Sequence, residues 1–137
     1  MFEQFVELQD RILAIVARSE GFLLDETRRD VGGLGRTRWD LARTLRDYQS
    51  LIHTQIFDRY ERHPDQAGRL AQDLKSDCIR AGEDFRQYIL KWSVISILDH
   101  WDDYRPAALE AIAKVRSQLA KERAGITDLL RVSALAA

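Results

Sequence analysis

The side chains that could carry chemistry in this chain are few and widely spaced. The 137 residues include three histidines and one cysteine. His53 lies on the shoulder of an amphipathic stretch, and Asp77, Cys78 and Glu122 lie on or beside predicted inner faces. Imidazole, thiolate and carboxylate groups bind iron or zinc when facing helices bring several of them together. We predict no metal site, and these four residues would be the first ligands to consider if a metal were found.

The spacing of the histidines does not favour metal binding. Helical neighbours on one face are three or four residues apart. The residues four positions after the three histidines are Phe57, Ala67 and Tyr104, none of which is a histidine or a carboxylate. The sequence also has no G-x-S-x-G segment and no indicated Cys–His pairing, which are typical of nucleophilic enzymes. We therefore predict no catalytic residue, no cofactor-binding residue and no enzymatic activity.

Four amphipathic stretches must position these side chains. Apolar residues recur in them at steps of three and four, which is typical of helices with about 3.6 residues per turn. The approximate bounds are 2–20, 36–63, 65–92 and from 102 or 103 onward. Short connections make consecutive helices antiparallel neighbours. The pattern predicts an all-α protein, an antiparallel up-down-up-down four-helix bundle that forms a single domain over residues 1–137.

Two segments are predicted to lie outside the helices. Residues 25–38 contain three glycines in four positions together with several arginines, and glycine in a helix interior costs backbone entropy. We expect an internal Gly/Arg-rich loop there. Residues 126–137 follow Gly125 at the C-terminus, where helices commonly fray, so we expect a frayed tail.

The inner faces also predict contacts. Tyr48 and Ile52 lie at the centre of the second stripe and are predicted to be core residues, with the Tyr48 hydroxyl hydrogen-bonded. Four polar residues share the inner faces: Gln9, Asp77, Gln118 and Glu122. Because an isolated buried charge is costly, we expect them to pair with one another or with arginines. Arg59 is the predicted partner of Glu122.

Composition narrows the function classes. The net charge is −1, so no overall field favours nucleic acid or an anionic membrane. No apolar run approaches the roughly 20 residues that span a bilayer, and the first residues lack the pattern of a secretory signal. The single cysteine cannot form an internal disulfide and fits a reducing compartment. We expect a cytoplasmic protein that binds neither nucleic acid nor a membrane.

Three stretches between Leu41 and Glu122 resemble those of bacterial hemerythrin-like (HHE) bundles. They are LRDYQSLIHTQIFDRYERHPD, DCIRAGEDFRQYILKW and DHWDDYRPAALEAIAKVRSQLAKER. The resemblance implies a four-helix bundle with a di-iron centre held by inward histidines and carboxylates. Here Tyr48 and Ile52 stand at the inward pair of the second helix, and Gln9 stands where a ligating histidine is expected. The resemblance therefore implies the family's fold without its iron ligands.

These features leave three functional hypotheses. The first is a non-enzymatic hemerythrin-like bundle without a di-iron site, with a regulatory or protein-interaction role. Its partner would be another protein or a small ligand, and it could form a homodimer. The second is an atypical metal-binding or redox-sensing protein that uses Glu20, His53, Asp77, Cys78 and Glu122. The third is a phosphotransfer module that uses His53.

Overall fold

The computed structural model describes residues 2–27, 29–94 and 96–136, and all regular secondary structure in these ranges is helical. The four long helices are α1 (Phe2–Leu24), α2 (Val31–Ile52), α3 (Gln66–Val94) and α4 (Trp101–Ala136). A π-helical turn (His53–Phe57) and a short α-helical turn (Asp58–Tyr60) continue the chain after α2. The prediction of an all-α protein is therefore confirmed. None of the helices in the described ranges is long and apolar enough to cross a membrane.

The helices pack as two closely associated pairs. Helix α1 lies along α2, α3 lies along α4, and α1 also contacts α4. Helix α2 approaches α3 mainly through the π-helical turn. Residues of all four long helices form one buried cluster, and its largest fully buried members include Phe5, Ile12, Tyr48, Ile52 and Ile126.

Helix α2 begins at Val31, so the predicted loop over 25–38 is wrong beyond Asp30. The Asp30 carboxylate accepts a hydrogen bond from the Gly33 amide at 2.8 Å and caps the helix. A Cβ atom on Gly33 would lie 2.7 Å from Cζ of Phe22, so the glycine permits close approach of α1 and α2. The cap and the burial of Leu34 offset the glycine penalty of about 1 kcal/mol per residue. Arg28, inside the predicted loop, lies outside the described residues.

The predicted frayed tail at 126–137 is also wrong where the structure describes it. Helix α4 continues through these residues to Ala136, and Ala137 lies outside the described residues. Ile126 and Leu129 are completely buried. Gly125 lies within the helix and does not end it, because the apolar residues beyond it complete the core.

Two helices receive an arginine from a neighbouring helix at their C-terminal ends. Arg105 of α4 donates from Nε to the carbonyl oxygen of Leu23 in α1, at 2.8 Å. Arg38 of α2 donates from Nη1 to the carbonyl oxygen of Trp92 in α3, at 3.1 Å. The last four carbonyl groups of a helix lack partners within it, and a cation there also complements the helix dipole. Each arginine therefore fixes a helix end to an adjacent helix.

Candidate functional site

Three buried polar side chains meet in the core, each from a different helix. The Tyr48 hydroxyl donates to Oε1 of Glu122 at 2.7 Å, and Gln9 donates from Nε2 to the Tyr48 oxygen at 3.0 Å. Gln9 and Tyr48 are 1% exposed and Glu122 is 3% exposed. The predictions that Tyr48 is a core residue and that its hydroxyl is hydrogen-bonded are both confirmed.

The chain of contacts continues from Glu122 toward α3. Gln118 donates from Nε2 to Oε2 of Glu122 at 2.8 Å and to Oδ2 of Asp77 at 2.9 Å. Asp77 also contacts Arg80, with 3.4 Å between Oδ1 and Nη2. A single amide thus joins a buried carboxylate to a half-exposed one.

At its other end the chain of contacts reaches solvent near α1. Arg123 donates from Nε to Oε1 of Gln9 at 2.7 Å, and its Nη2 lies 3.3 Å from Oδ1 of Asp10. We call the connected set the buried polar network, and its members are Gln9, Tyr48, Asp77, Gln118, Glu122 and Arg123. Every buried side-chain nitrogen or oxygen in the described residues has a hydrogen-bond partner. The prediction that the inward polar residues pair with one another or with arginines is confirmed.

Burial keeps two members of this region protonated. Burial raises the pKa of the Tyr48 phenol, and the nearby Glu122 carboxylate raises it further. Burial also raises the pKa of the Cys78 thiol, again with Glu122 as the next cause. Because the thiolate is the reactive form of cysteine, this environment makes Cys78 a poor nucleophile. Both groups keep their protons and can serve as hydrogen-bond donors to Glu122.

The structure brings together three of the four suggested metal ligands. Asp77, Cys78 and Glu122 border one another, whereas His53 lies in the π-helical turn, where its ring centre is 5.1 Å from that of Phe57 in an edge-to-face arrangement. Burial and the nearby Lys75 lower the pKa of His53. Within residues 2–27, 29–94 and 96–136, no three His, Cys, Asp or Glu side chains converge on a point that could hold a metal ion.

Two other predictions, one for Arg59 and one for Glu20, have different outcomes. The predicted pairing of Arg59 with Glu122 is wrong, because Arg59 is exposed and its guanidinium lies 5.6 Å from the Tyr60 ring centre. Glu20, which the metal hypothesis included, pairs with Arg116 at 2.8 Å between Oε2 and Nη1. The pairing lowers the pKa of the Glu20 carboxyl.

A cavity lies beneath the middle of α3. No residue of α3 from 79 to 91 is fully buried, although Cys78 and Trp92 at either end of this segment are. Ala81, Phe85 and Tyr88, which recur at steps of four and three along this segment, are only half-buried. The space under them has a volume of about 820 Å³. Cavities of roughly 300–1,000 Å³ are typical of small-molecule sites.

The walls of the cavity are apolar and one end is polar. Its apolar lining comes from α2, α3 and α4 and includes Leu45, Ala81, Phe85, Trp92, Ala111 and Val115. The polar end is formed by Tyr48, Asp77, Cys78, Gln118 and Glu122, which belong to or border the buried polar network. A mostly apolar lining with a few positioned polar groups is the usual composition of a ligand site.

Contacts on both sides of α3 hold it above the cavity. On the α2 side, the Gln49 side chain reaches α3, because a Cβ atom on Gly82 would lie 2.8 Å from its Nε2. The hydrogen bond from Arg38 to the Trp92 carbonyl oxygen closes the same side farther along. On the α4 side, the Tyr88 hydroxyl lies 3.4 Å from that of Tyr104. Side chains therefore cross the gaps between α3 and its neighbouring helices at three points.

The mouth of the cavity carries an excess of positive charge. Its exposed lining residues include six cations (Arg46, Arg80, Arg86, Lys91, Lys114 and Lys121) and two carboxylates (Asp84 and Glu110). Arg80 and Lys114 are paired with Asp77 and Glu110. Arg46, Arg86 and Lys121 form no ion pair with any residue of the described ranges. Sequence periodicity did not reveal this arrangement, because residues on three helices contribute to it.

No protein-family model, no curated protein and no solved structure matches this chain. The resemblance to hemerythrin-like bundles therefore remains a prediction from the sequence. The cavity, its polar end and its charged mouth are the features from which a function can be argued.

Proposed function

We propose that this chain is a non-enzymatic binding protein with a regulatory role, and that its ligand occupies the cavity beneath α3. The observation that carries the proposal is the half-buried inner face of α3. Phe85 and Tyr88 lie over about 820 Å³ of space, and no side chain of α3 between residues 79 and 91 is fully buried. Apolar side chains left partly uncovered around a cavity favour binding of an apolar molecule.

The state of the polar groups supports binding over catalysis. Glu122 already accepts hydrogen bonds from Tyr48 and Gln118, and Gln9 is held by Arg123. The raised pKa values of Tyr48 and Cys78 leave these side chains protonated, so neither is activated as a nucleophile. We therefore assign the buried polar network a structural role: it holds α1, α2 and α4 in place around the cavity.

We further propose that the helices form an antiparallel up-down-up-down bundle of the hemerythrin-like kind without iron, located in the cytoplasm. The packing of α1 with α2, α3 with α4 and α1 with α4 supports this arrangement. The free, buried Cys78 is compatible with a reducing compartment. The alternatives have less support, because His53 packs against Phe57 and the carboxylates near Cys78 have protein partners.

A neutral, environment-sensitive dye such as Nile red tests the proposed binding. We expect saturable binding of about one dye per chain and a rise in fluorescence, as for an apolar cavity of this size. Ala111→Phe fills the cavity and should weaken binding at least about tenfold, a loss of about 1.4 kcal/mol. Ala113→Phe is the matched control, because Ala113 is exposed on the same helix. Equal dye affinity in the two variants, or binding that does not saturate in the unaltered protein, would overturn the proposal.

A further inference from the structure

We propose that the ligand is a single-chain anionic amphiphile, such as an aliphatic carboxylate, with its tail in the cavity and its head at Arg46 and Arg86. This inference rests on the proposed function, since it assigns a chemical class to the ligand of the same cavity. Three observations carry it: the charge of the mouth, the saturation of the carboxylates inside and the side chains that cross the gaps beside α3.

The charge of the mouth selects the head group. Six exposed cations and two exposed carboxylates border the cavity, in a protein whose net charge is −1. Arg46 lies on the α2 side of the opening and Arg86 on α3, and neither is paired with a carboxylate in the described ranges. Guanidinium groups bind carboxylates through parallel hydrogen bonds. An anionic head between these two arginines would gain partners that the protein itself does not supply.

The carboxylates inside the cavity do not favour binding of a cationic ligand. Glu122 accepts from Tyr48 and Gln118, and Asp77 accepts from Gln118 and contacts Arg80. A cationic head would have to displace one of these donors and pass the positive mouth. Its electrostatic interaction with the mouth would be unfavourable, and like-charge contacts reduce both affinity and association rate.

The side chains that cross the gaps beside α3 favour a slender chain over a helix of a protein partner. Helix α3 is held to α2 at Gly82 and Gln49 and by Arg38, and to α4 by the contact between Tyr88 and Tyr104. A helix with its side chains is about 10–12 Å wide and would have to break these contacts to enter. An aliphatic chain can pass between them and lie along Phe85, Ala111 and Val115.

Three probes with the same tail and different heads test the inference: dodecanoate, dodecanol and dodecyltrimethylammonium. Each is titrated below its aggregation concentration as a competitor of the bound dye, with circular dichroism to check that the helices persist. We expect dodecanoate to bind at least about tenfold more tightly than dodecanol, and dodecyltrimethylammonium to bind most weakly. The advantage of dodecanoate should shrink at high salt, because exposed charges are screened.

Charge reversal locates the head group. The double variant Arg46→Glu/Arg86→Glu should lose the preference for dodecanoate and keep its affinity for dodecanol. The matched control is Arg62→Glu/Arg69→Glu, which makes the same charge change at exposed arginines outside the cavity lining and should keep the preference.

These experiments distinguish a failure of the head-group assignment from a failure of the proposed function. Equal affinity for the three probes in the unaltered protein, or an equal loss of preference in both double variants, would overturn the anionic head group while cavity binding stands. Failure of every probe and of the dye to bind saturably would instead overturn the proposed function.

Discussion

Tyr48 and Glu122 are 74 residues apart in the chain, and a 2.7 Å hydrogen bond joins them in the core. The bond connects α2 to α4 between the two closely packed helix pairs. Gln9 extends the link to α1, and Gln118 extends it to α3 through Asp77. The four long helices of the described ranges are thus tied together at one level by polar contacts.

We expect Tyr48→Phe to reduce the free energy of unfolding by about 1–3 kcal/mol, because Glu122 would lose a donor and remain buried. Urea denaturation of both proteins at neutral pH measures this difference. Tyr60→Phe is the control, since Tyr60 is half-buried and its hydroxyl makes no hydrogen bond within the described ranges. The importance of the Tyr48 hydroxyl would be contradicted if the two variants lost the same stability.

Stability should fall as the pH rises above about 9. The ordinary pKa values of Cys78 and Tyr48 are 9.0 and 10.0, and both are raised in the folded protein. The unfolded chain therefore releases these protons first, and ionisation favours unfolding. Each group can lower the free energy of unfolding by up to about 1.4 kcal/mol per pH unit. Urea denaturation at a series of alkaline pH values measures the slope.

Cys78→Ala separates the contribution of the thiol to this slope. Between the ordinary pKa values of cysteine and tyrosine, the variant should lose stability less steeply with pH than the unaltered protein. The comparison concerns slopes, so a constant loss of stability from the smaller side chain does not affect it. Identical slopes in the two proteins would show that the Cys78 thiol does not keep its proton through burial.

Ile52→Ala should lower the free energy of unfolding by about 2–5 kcal/mol, because the side chain is completely buried and its loss leaves a cavity. Ile79→Ala removes the same atoms from a side chain that is 56% exposed, and it should cost much less. Thermal or urea denaturation of the pair gives the comparison. A cost below about 0.5 kcal/mol for Ile52→Ala would contradict the assignment of Ile52 to the core.

We predict that the purified protein does not bind iron stoichiometrically. Bundle iron sites require several histidine or carboxylate donors on facing helices with open positions, and Glu122 and Asp77 are occupied by protein donors. Anaerobic addition of ferrous iron, exposure to air and metal analysis test the prediction. About two irons per chain, with a charge-transfer band in the near-ultraviolet, would refute it. Substitution of Asp77 and Glu122 would then show whether they bind the iron.

Helical periodicity predicted much of the core correctly. The two predicted core positions of α2, Tyr48 and Ile52, are buried, because every third or fourth residue of a regular helix faces the same neighbours. The burial of Gln9 and Glu122 followed from the same rule. Periodicity failed in the middle of α3, where Phe85 and Tyr88 repeat correctly but face a cavity. The distance from α3 to its neighbouring helices depends on tertiary packing, and the spacing of apolar residues along one helix gives no information about it.

The start of α2 and the partner of Glu122 show two other limits. Gly33 is one of the glycines that favoured a loop in the sequence analysis. Asp30, three residues earlier, is a capping residue and could have indicated where α2 begins. For Glu122, the face was correct and the partner was wrong, since Arg59 points to solvent and Tyr48 donates instead. The inner face of a helix restricts which side chains can meet, while their axial level decides which ones do.

The cavity also gives α3 an uneven local stability. Ala71 and Cys78 are anchored in the core on one side and Trp92 on the other, while residues 79–91 between them have no fully buried side chain. Amide protons of this middle segment should exchange with solvent through local opening at a lower free energy than those of α2 around Tyr48. A molecule held in the cavity would pack against the same segment and slow that exchange. Slower hydrogen exchange in α3 would then indicate that the cavity is occupied, even though the backbone conformation does not change.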